Sequence, residues 1–310
     1  MGRRRAALLG ALVAAAACTY CGANGSPVGP GGSPAFPPIN PNPIPAPTPQ
    51  PTQIFAGAGD IAMCDATGDE GTATLLDGIG GTVFALGDNA YPSGRTEDYR
   101  ECYNPSWGRH LGRTRPVPGN HDYESPGAAP YFQHFGTNAG PAGLGYYSFD
   151  LGAWHIVALN SEAPAQINSA QGLWLQNDLA TYANFRCTLA MWHRPLFTSG
   201  ANGDNADMRD LWHLLYAAGV DVVLNGHDHD YERFALQDPD GRPDPARGIR
   251  EFVVGTGGGT LRQFTGLHAN SEARVALSYG VLKLFLQNDS YGWEFVPVSG
   301  SSDTGMGTCH

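Results

Sequence analysis

The stretch GTVFALGDNAY, residues 81–91, sets an apolar run directly against an acid, an amide and a tyrosine. Alone, the corner Gly87-Asp88-Asn89 is an ordinary turn, because these residues tolerate bent or left-handed backbone. The same arrangement recurs along the chain. Ile54–Gly59 runs into Asp60, and Thr114–Val117 into Pro118-Gly119-Asn120-His121-Asp122. Trp154–Leu159 runs into Asn160-Ser161-Glu162, Cys187–Trp192 into His193, and Val220–Leu224 into Asn225-Gly226-His227-Asp228-His229. Apolar runs of four to six residues rich in Val, Ile, Leu and Phe read as buried strands.

Helical periodicity falls between several of these runs. Leu173, Trp174, Leu175 and Leu179 repeat near 3.6 within Gln171–Tyr182. Met208, Leu211, Trp212, Leu215 and Tyr216 do so within Asn205–Ala218, and Gly219 follows as a helix terminator. Strands alternating with helices predict an α/β layered fold, with sites in the crevice at the strand C-terminal ends. Glu251–Gly255, Gly280–Leu286 and Ser290–Val298 read as strands without helices between them. They predict a second, more antiparallel sheet stacked on the first. Gly255-Thr256-Gly257-Gly258-Gly259 lacks the third glycine of a dinucleotide fingerprint, because Thr260 stands there, and it reads as a sharp turn.

Three segments divide the chain. Residues 1–23 hold Arg3, Arg4 and Arg5 before the twelve apolar residues Ala6–Ala17, too short to span a bilayer and of the form of a secretory signal. Two readings stay open at its end: lipidation of Cys18 after the small-residue run, giving membrane attachment, or ordinary cleavage at an Ala-x-Ala site. Residues 24–53 carry eleven prolines with Gly, Ser and Asn, and read as a disordered tether. Fully extended, roughly 30 such residues reach about 90 Å at about 3.1 Å each. Residues 54–310 remain as one large domain. Export to the cell surface or beyond follows from this order of segments.

Charge and cysteine content narrow the function. There are 18 Lys and Arg against 29 Asp and Glu, a formal net charge of −11, and Lys283 is the sole lysine. No basic stripe exists to meet a nucleic acid backbone, so a DNA- or RNA-binding module is excluded. Cys64, Cys102, Cys187 and Cys309 form an even set in a chain with an export signal, which predicts two disulfides. Three connectivities are open; Cys64–Cys102 with Cys187–Cys309 is the favoured one, because it joins two loops and pins the C-terminal tail.

Asp60, Asp88, Tyr91, Asn120, His121, His193, His227 and His229 all close or follow apolar runs, so all fall on one rim. Oxygen donors mixed with imidazoles suit iron, manganese or zinc. Eight candidates exceed the needs of one ion, so two ions sharing a carboxylate is the natural count. Gly59-Asp60-Ile61-Ala62, Gly87-Asp88-Asn89-Ala90-Tyr91, Gly119-Asn120-His121-Asp122, Ala190-Met191-Trp192-His193 and Gly226-His227-Asp228-His229, in this order, resemble the motifs of the calcineurin-like metallophosphoesterases, and more narrowly of the purple acid phosphatases. Two motif positions depart from that pattern: Ala62 replaces a Gly and Ala190 a Val.

The resemblance spans residues 54–298 and implies a four-layer α/β/β/α sandwich. It also implies that Asp60, Asp88, Tyr91 and His229 bind a first metal, Fe(III). Asp88, Asn120, His193 and His227 would bind a second, divalent Fe, Zn or Mn, with Asp88 shared. Ala62 cannot coordinate, and Tyr91 completes the first site in its place. His121 would contact the phosphate or protonate the leaving oxygen, with Asp122 orienting it. The implied reaction is hydrolysis of a small-molecule phosphomonoester by a metal-held hydroxide. The alternatives are a phosphodiesterase or nucleotidase using the same site, and a catalytically inactive surface binding protein on this scaffold. Arg194, Asn160 and Glu162 stand at strand ends as further pocket candidates. The sequence leaves the oligomeric state unknown.

Overall fold

The computed structural model describes residues 43–310. The signal segment 1–23, Cys18 and the tether up to residue 42 lie outside the described residues. Among those described, no helix is long and apolar enough to cross a membrane.

Strands β1 (Gln53–Ala58), β2 (Thr82–Leu86) and β3 (Thr114–Val117) pair in parallel and open the first sheet. The next seven strands build the second sheet: β4 (Tyr147–Leu151), β5 (Trp154–Ala158), β6 (Cys187–Met191), β7 (Val222–Asn225), β8 (Tyr231–Phe234), β9 (Arg250–Val254) and β10 (Ser271–Val275). Its order is β10-β8-β9-β7-β6-β5-β4, with β5, β6, β7 and β9 parallel. The chain then returns to the first sheet with β11 (Gly280–Leu286), β12 (Ser290–Pro297) and β13 (Asp303–Thr308), giving the order β13-β12-β11-β1-β2-β3.

This return corrects one expectation. Gly280–Leu286 and Ser290–Val298 do not form a separate stacked sheet. Instead β11 pairs antiparallel with β1, from Gln53 opposite Leu286 to Gly57 opposite Leu282. The strand read at Glu251–Gly255 joins the second sheet beside β7. Apolar content identifies a strand, but choice of edge is a long-range property that it does not encode.

Burial explains the patterns. All five residues of β5 are buried, because a parallel strand is covered on both faces, whereas β12 alternates as a strand with one wetter face does. Helices α1 (Gly68–Asp77), α2 (Ala170–Thr181) and α3 (Arg209–Ala217) supply the outer layers. Leu175, Leu211, Trp212 and Leu215 pack on Val157, Ala190, Val223 and Val253 of the second sheet. Ala73 and Leu76 of α1 join the core that includes the first sheet. Between the sheets Phe55 meets Phe149, Trp154 meets Tyr291, Tyr231 meets Phe295 and Phe252 meets Trp293. The result is the mixed α/β, two-sheet sandwich expected.

Helix ends follow local chemistry. The Ser169 side chain accepts a hydrogen bond from Gly172 N at 3.0 Å and caps α2, a contact of about 1 kcal/mol. Gly219 follows α3 with φ +75°, the left-handed turn that ends a helix. Cys64 is bonded to Cys102 and Cys187 to Cys309, the pairing expected. The described end of the Pro-rich tether is not free: Ile44 N donates to Thr181 O at 2.8 Å and Gln50 N to Asn288 Oδ1 at 2.7 Å. Residues 43–52 therefore lie along the domain, and β1 begins at Gln53, one residue before the expected boundary.

Candidate metal centre

The parallel strands of both sheets end at one rim. Beyond β1 and β2 the chain continues as two zippered loops, in which Asp60 N, Ile61 N and Ala62 N donate to the carbonyls of Gly87, Asp88 and Asn89 at 3.0–3.1 Å. The ladder closes with Tyr91 N donating to Ala62 O at 2.8 Å. This pairing carries Asp60, Asp88 and Tyr91 to a common point, and Ala62 serves it through its backbone. Asp60, Asp88 and His227 have positive φ, at 58°, 48° and 70°. Non-glycine residues held there are strained, and such strain concentrates at functional sites.

Two groups of donors result, with Asp88 common to both. Tyr91 OH lies 3.0 Å from Asp60 Oδ1, 3.3 Å from Asp88 Oδ2 and 3.1 Å from His229 Nε2. His193 Nε2 lies 3.3 Å from Asp88 Oδ2, 3.2 Å from Asn120 Oδ1 and 3.2 Å from His227 Nδ1. Backbone carbonyls orient the rings. Leu86 O takes the Nδ1 proton of His193 at 2.8 Å, and Thr260 O that of His229 at 2.7 Å. Each ring thus turns an Nε2 lone pair inward, as ligating histidines do. Hard carboxylate, phenol and amide oxygens with inward imidazole nitrogens fit two transition-metal cations, the phenol group on one side and the amide group on the other.

The electrostatics of the bare protein point the same way. Burial opposes the charge on His193, yet Asp88 and Asp60 push its pKa up to about 10. Burial and the charge on His193 push His227 down to about 3. Burial and the carboxylates Asp60 and Asp88 drive the Tyr91 phenol well above its usual range. Without cations the cluster holds protons at places where positive charge is wanted; a bound cation reverses this for Tyr91.

Glycines provide the closeness. A Cβ on Gly119 would lie 2.2 Å from Asp88 Oδ1, and one on Gly226 2.8 Å from Asp60 Oδ2. The Gly255–Gly259 stretch is indeed a turn, and it backs the Asp60 loop through Gly257 N to Gly59 O and Gly259 N to Asp60 O.

All seven expected ligands meet here, and His121 stands beside them, its Nε2 3.9 Å from Asp88 Oδ2 and its ring 4.7 Å from that of Tyr91. Asp122 does not orient His121, contrary to expectation. It is fully buried and accepts from Tyr99 OH at 2.6 Å, Gly119 N at 2.8 Å and Asn89 Nδ2 at 2.9 Å, tying the two loops together. Burial and the Asp88 charge push its pKa up to about 6. Asn160 is also internal, bonded to Tyr123, Leu144 and Gln171. Arg194 and Glu162 do line the site as an ion pair at 2.7 Å, with Arg194 Nη1 3.3 Å from His227 Nε2. Sequence reasoning passed over Asp228, which anchors the loop after His193 by accepting from Thr198 Oγ1 and Asn202 N, both at 2.8 Å. It also passed over Arg262, Met63 and Pro92, which wall a cavity beside Tyr91. Their loops carry no motif.

The sequence profile of the calcineurin-like phosphoesterases matches residues 56–231. Purple acid phosphatase 18 of Arabidopsis thaliana is 31% identical over 227 residues, covering 66% of this chain and 49% of that protein. Human acid phosphatase type 7 is 30% identical over 139 residues, 37% of this chain and 31% of its own length. The chain thus spans about half, or less, of the curated relatives it matches. Among solved structures, a purple acid phosphatase from yellow lupin seeds superposes with a TM-score of 0.69 at 18% identity, over 86% of this chain and 55% of that one. GAP50, the anchor in the inner membrane complex of Plasmodium, superposes with 0.63 at 15%, over 84% and 90%. These structural likenesses speak for the fold alone. Profile, ordered motifs and two-sheet fold agree that the chain, whose curated relatives include purple acid phosphatases, belongs to the calcineurin-like phosphoesterases.

Proposed function

We propose that this protein hydrolyses phosphate esters, phosphomonoesters foremost, at a centre of two cations. The observation that carries the reading is the convergence of seven donors into two groups that share Asp88 Oδ2. Fe(III) is assigned to the group with Tyr91, because a phenolate is a hard anionic donor; divalent Fe, Zn or Mn is assigned to the group with Asn120. When bound, such cations supply a nucleophilic oxygen at neutral or acid pH and neutralise charge on the phosphoryl oxygens. His121 Nε2 faces the centre at its solvent side and is positioned to pass a proton to the leaving oxygen. Arg194, held by Glu162, presents its guanidinium beside His227, where it meets an outer phosphoryl oxygen. The leader and tether support an exported enzyme, either attached through a lipid on Cys18 or released by cleavage at the Ala-x-Ala site.

A phosphodiesterase is the second reading. It draws on two cavities, about 570 and 510 Å³, that open on opposite sides of the centre and offer room for both arms of a diester. An inactive scaffold like an anchor protein is disfavoured, because loss of activity commonly removes ligands and all seven are present. Metal analysis with turnover of mono- and diesters separates these readings. The expected result is about two metals per chain, aryl monoester hydrolysis above diester hydrolysis, and a fall of roughly 10²-fold or more in kcat for Asp88→Asn. Well-metallated protein inert towards both ester classes at every pH overturns the proposal.

A further inference from the structure

The two cavities beside the centre have opposite chemistry. The one next to His227 is lined by Glu162, Arg194, Asn202, Asp204 and Asp207, three carboxylates against one guanidinium already paired with Glu162. It is hostile to an apolar group. The one next to Tyr91 is walled by Met63, Pro92 and the Cys64–Cys102 disulfide, with His121 and His229 at the metal side and Asp65, Asp98 and Arg262 also lining it; the Asp98 carboxylate is engaged by Ser93 N and Arg95 N. Most of that wall is carbon and sulfur. Thr260 Oγ1 donates to Met63 Sδ at 3.6 Å, which holds the thioether on this wall, and thioethers pack well on aromatic rings.

The walls are also built to stay in place. The disulfide fixes the loop after β1 against the Tyr99–Tyr103 turn, and Cys102 itself is buried. Pro92 O accepts from His121 Nδ1 at 2.6 Å, so the apolar wall and the imidazole that faces the centre are bonded to each other. A cavity of about 510 Å³ exceeds what a methyl or glyceryl group fills and takes an aromatic ring with room to spare.

We propose that this cavity is the leaving-group subsite, and that it selects phosphate esters of flat apolar alcohols, aromatic ones above all, over esters of small polar alcohols. The inference rests on the phosphoesterase reading and extends it to substrate class. In the reaction water adds to phosphorus and gives one proton to solvent, the bond from phosphorus to the ester oxygen breaks, and that oxygen takes a proton from His121 Nε2 on the cavity floor, which solvent then replaces. Inorganic phosphate and the free alcohol leave. Ring burial, not charge, makes the selection, so it persists in high salt.

The test uses the full chain with its metals and non-hydrolysable phosphonates. Calorimetry compares benzylphosphonate with methylphosphonate on wild type, Met63→Gln and Met63→Glu. Burying about one aromatic ring makes the benzyl compound bind on the order of 30-fold tighter to wild type. In both variants that ratio falls to about threefold or below, the uncharged one guarding against a folding or charge artefact; circular dichroism reports their folding. Equal affinities on wild type, or a ratio unchanged in a folded Met63→Gln, overturn the subsite. Turnover of phenyl phosphate and glycerol 2-phosphate is measured alongside. Equal kcat/KM for both sinks the subsite and leaves the phosphatase reading intact. A high binding ratio without hydrolysis of either ester sinks the phosphatase reading, and the cavity is then a ring-binding pocket and not a leaving-group subsite.

Discussion

In the proposed centre Tyr91 would decide which cations bind, since Ala62 offers no donor and a phenol coordinates only after losing its proton. In the bare site burial and two carboxylates oppose that loss. A tyrosinate therefore reports a strongly acidic cation directly, and protein purified with iron is expected to show a visible charge-transfer band. Tyr91→Phe is expected to abolish the band while circular dichroism stays unchanged; an identical spectrum in the variant would detach Tyr91 from the metal. Gly119 tests the geometry of the shared carboxylate. Its backbone is extended, with φ −117° and ψ −178°, so any residue tolerates the conformation. What it lacks is space, because a Cβ meets Asp88 Oδ1 and N. Gly119→Ala is expected to lower metal content and cut kcat roughly 100-fold, the usual consequence of displacing a site by about 1 Å. Full metal loading and activity in that variant would show the loop to be soft. Asp60, Asp88 and the histidines were legible because their residue types announce a ligand. Asp122 was misread because an acid next to a histidine looks the same in sequence whether it orients the ring or clamps the loop.

Between elements, β5 is fastened to β4 and α2 by a triad in which His155 and Asp178 are buried and Asp150 is exposed. His155 Nδ1 meets Asp150 Oδ1 at 2.9 Å, its Nε2 meets Asp178 Oδ2 at 2.8 Å, and its ring stacks on Tyr182 at 3.8 Å. Burial disfavours a charge there, but both carboxylates outweigh it and raise the pKa. Because the folded value exceeds the unfolded one of about 6.5, the stabilisation is complete below that pH and lost as pH rises through the raised value. Thermal melts are expected to show His155→Gln less stable than wild type by about 2–3 kcal/mol at pH 6, a gap that narrows at alkaline pH. A gap independent of pH would mean that the triad acts by packing alone. None of this was readable from WHIVAL, where His155 looked like one polar letter in a buried strand. The helices fared better. Gly219 was read as the end of α3, whereas the Ser169 cap of α2 was not read although it too is local chemistry.

For the molecule as a whole, the candidate cation site lies where the two sheets meet. Asp60, Asp88, Tyr91 and Asn120 follow strands of the first sheet, while His193, His227 and His229 follow strands of the second. Cations that bind only the folded state stabilise it, by about 2.7 kcal/mol at a hundredfold excess over Kd. Chelation is therefore expected to lower the Tm by roughly 5–10 °C, and return of iron with zinc or manganese to restore it. An unchanged melt after verified metal removal would separate the centre from the stability of the interface. The sequence alone pointed to the candidate ligands, to strands alternating with helices and to Gly219 as the end of α3, because composition, periodicity and turn preference act within a few residues; it left three pairings of the four cysteines open, and the fold chose between them. Tertiary structure alone decided that β11 and β12 return to the first sheet and that Asp122 and Asn160 face inward. It also decided that one cavity beside the centre is polar and the other apolar. Those outcomes depend on which distant surfaces bury each other, and each is set by contacts more than 25 residues apart or by loops whose side chains meet only after the sheets have packed.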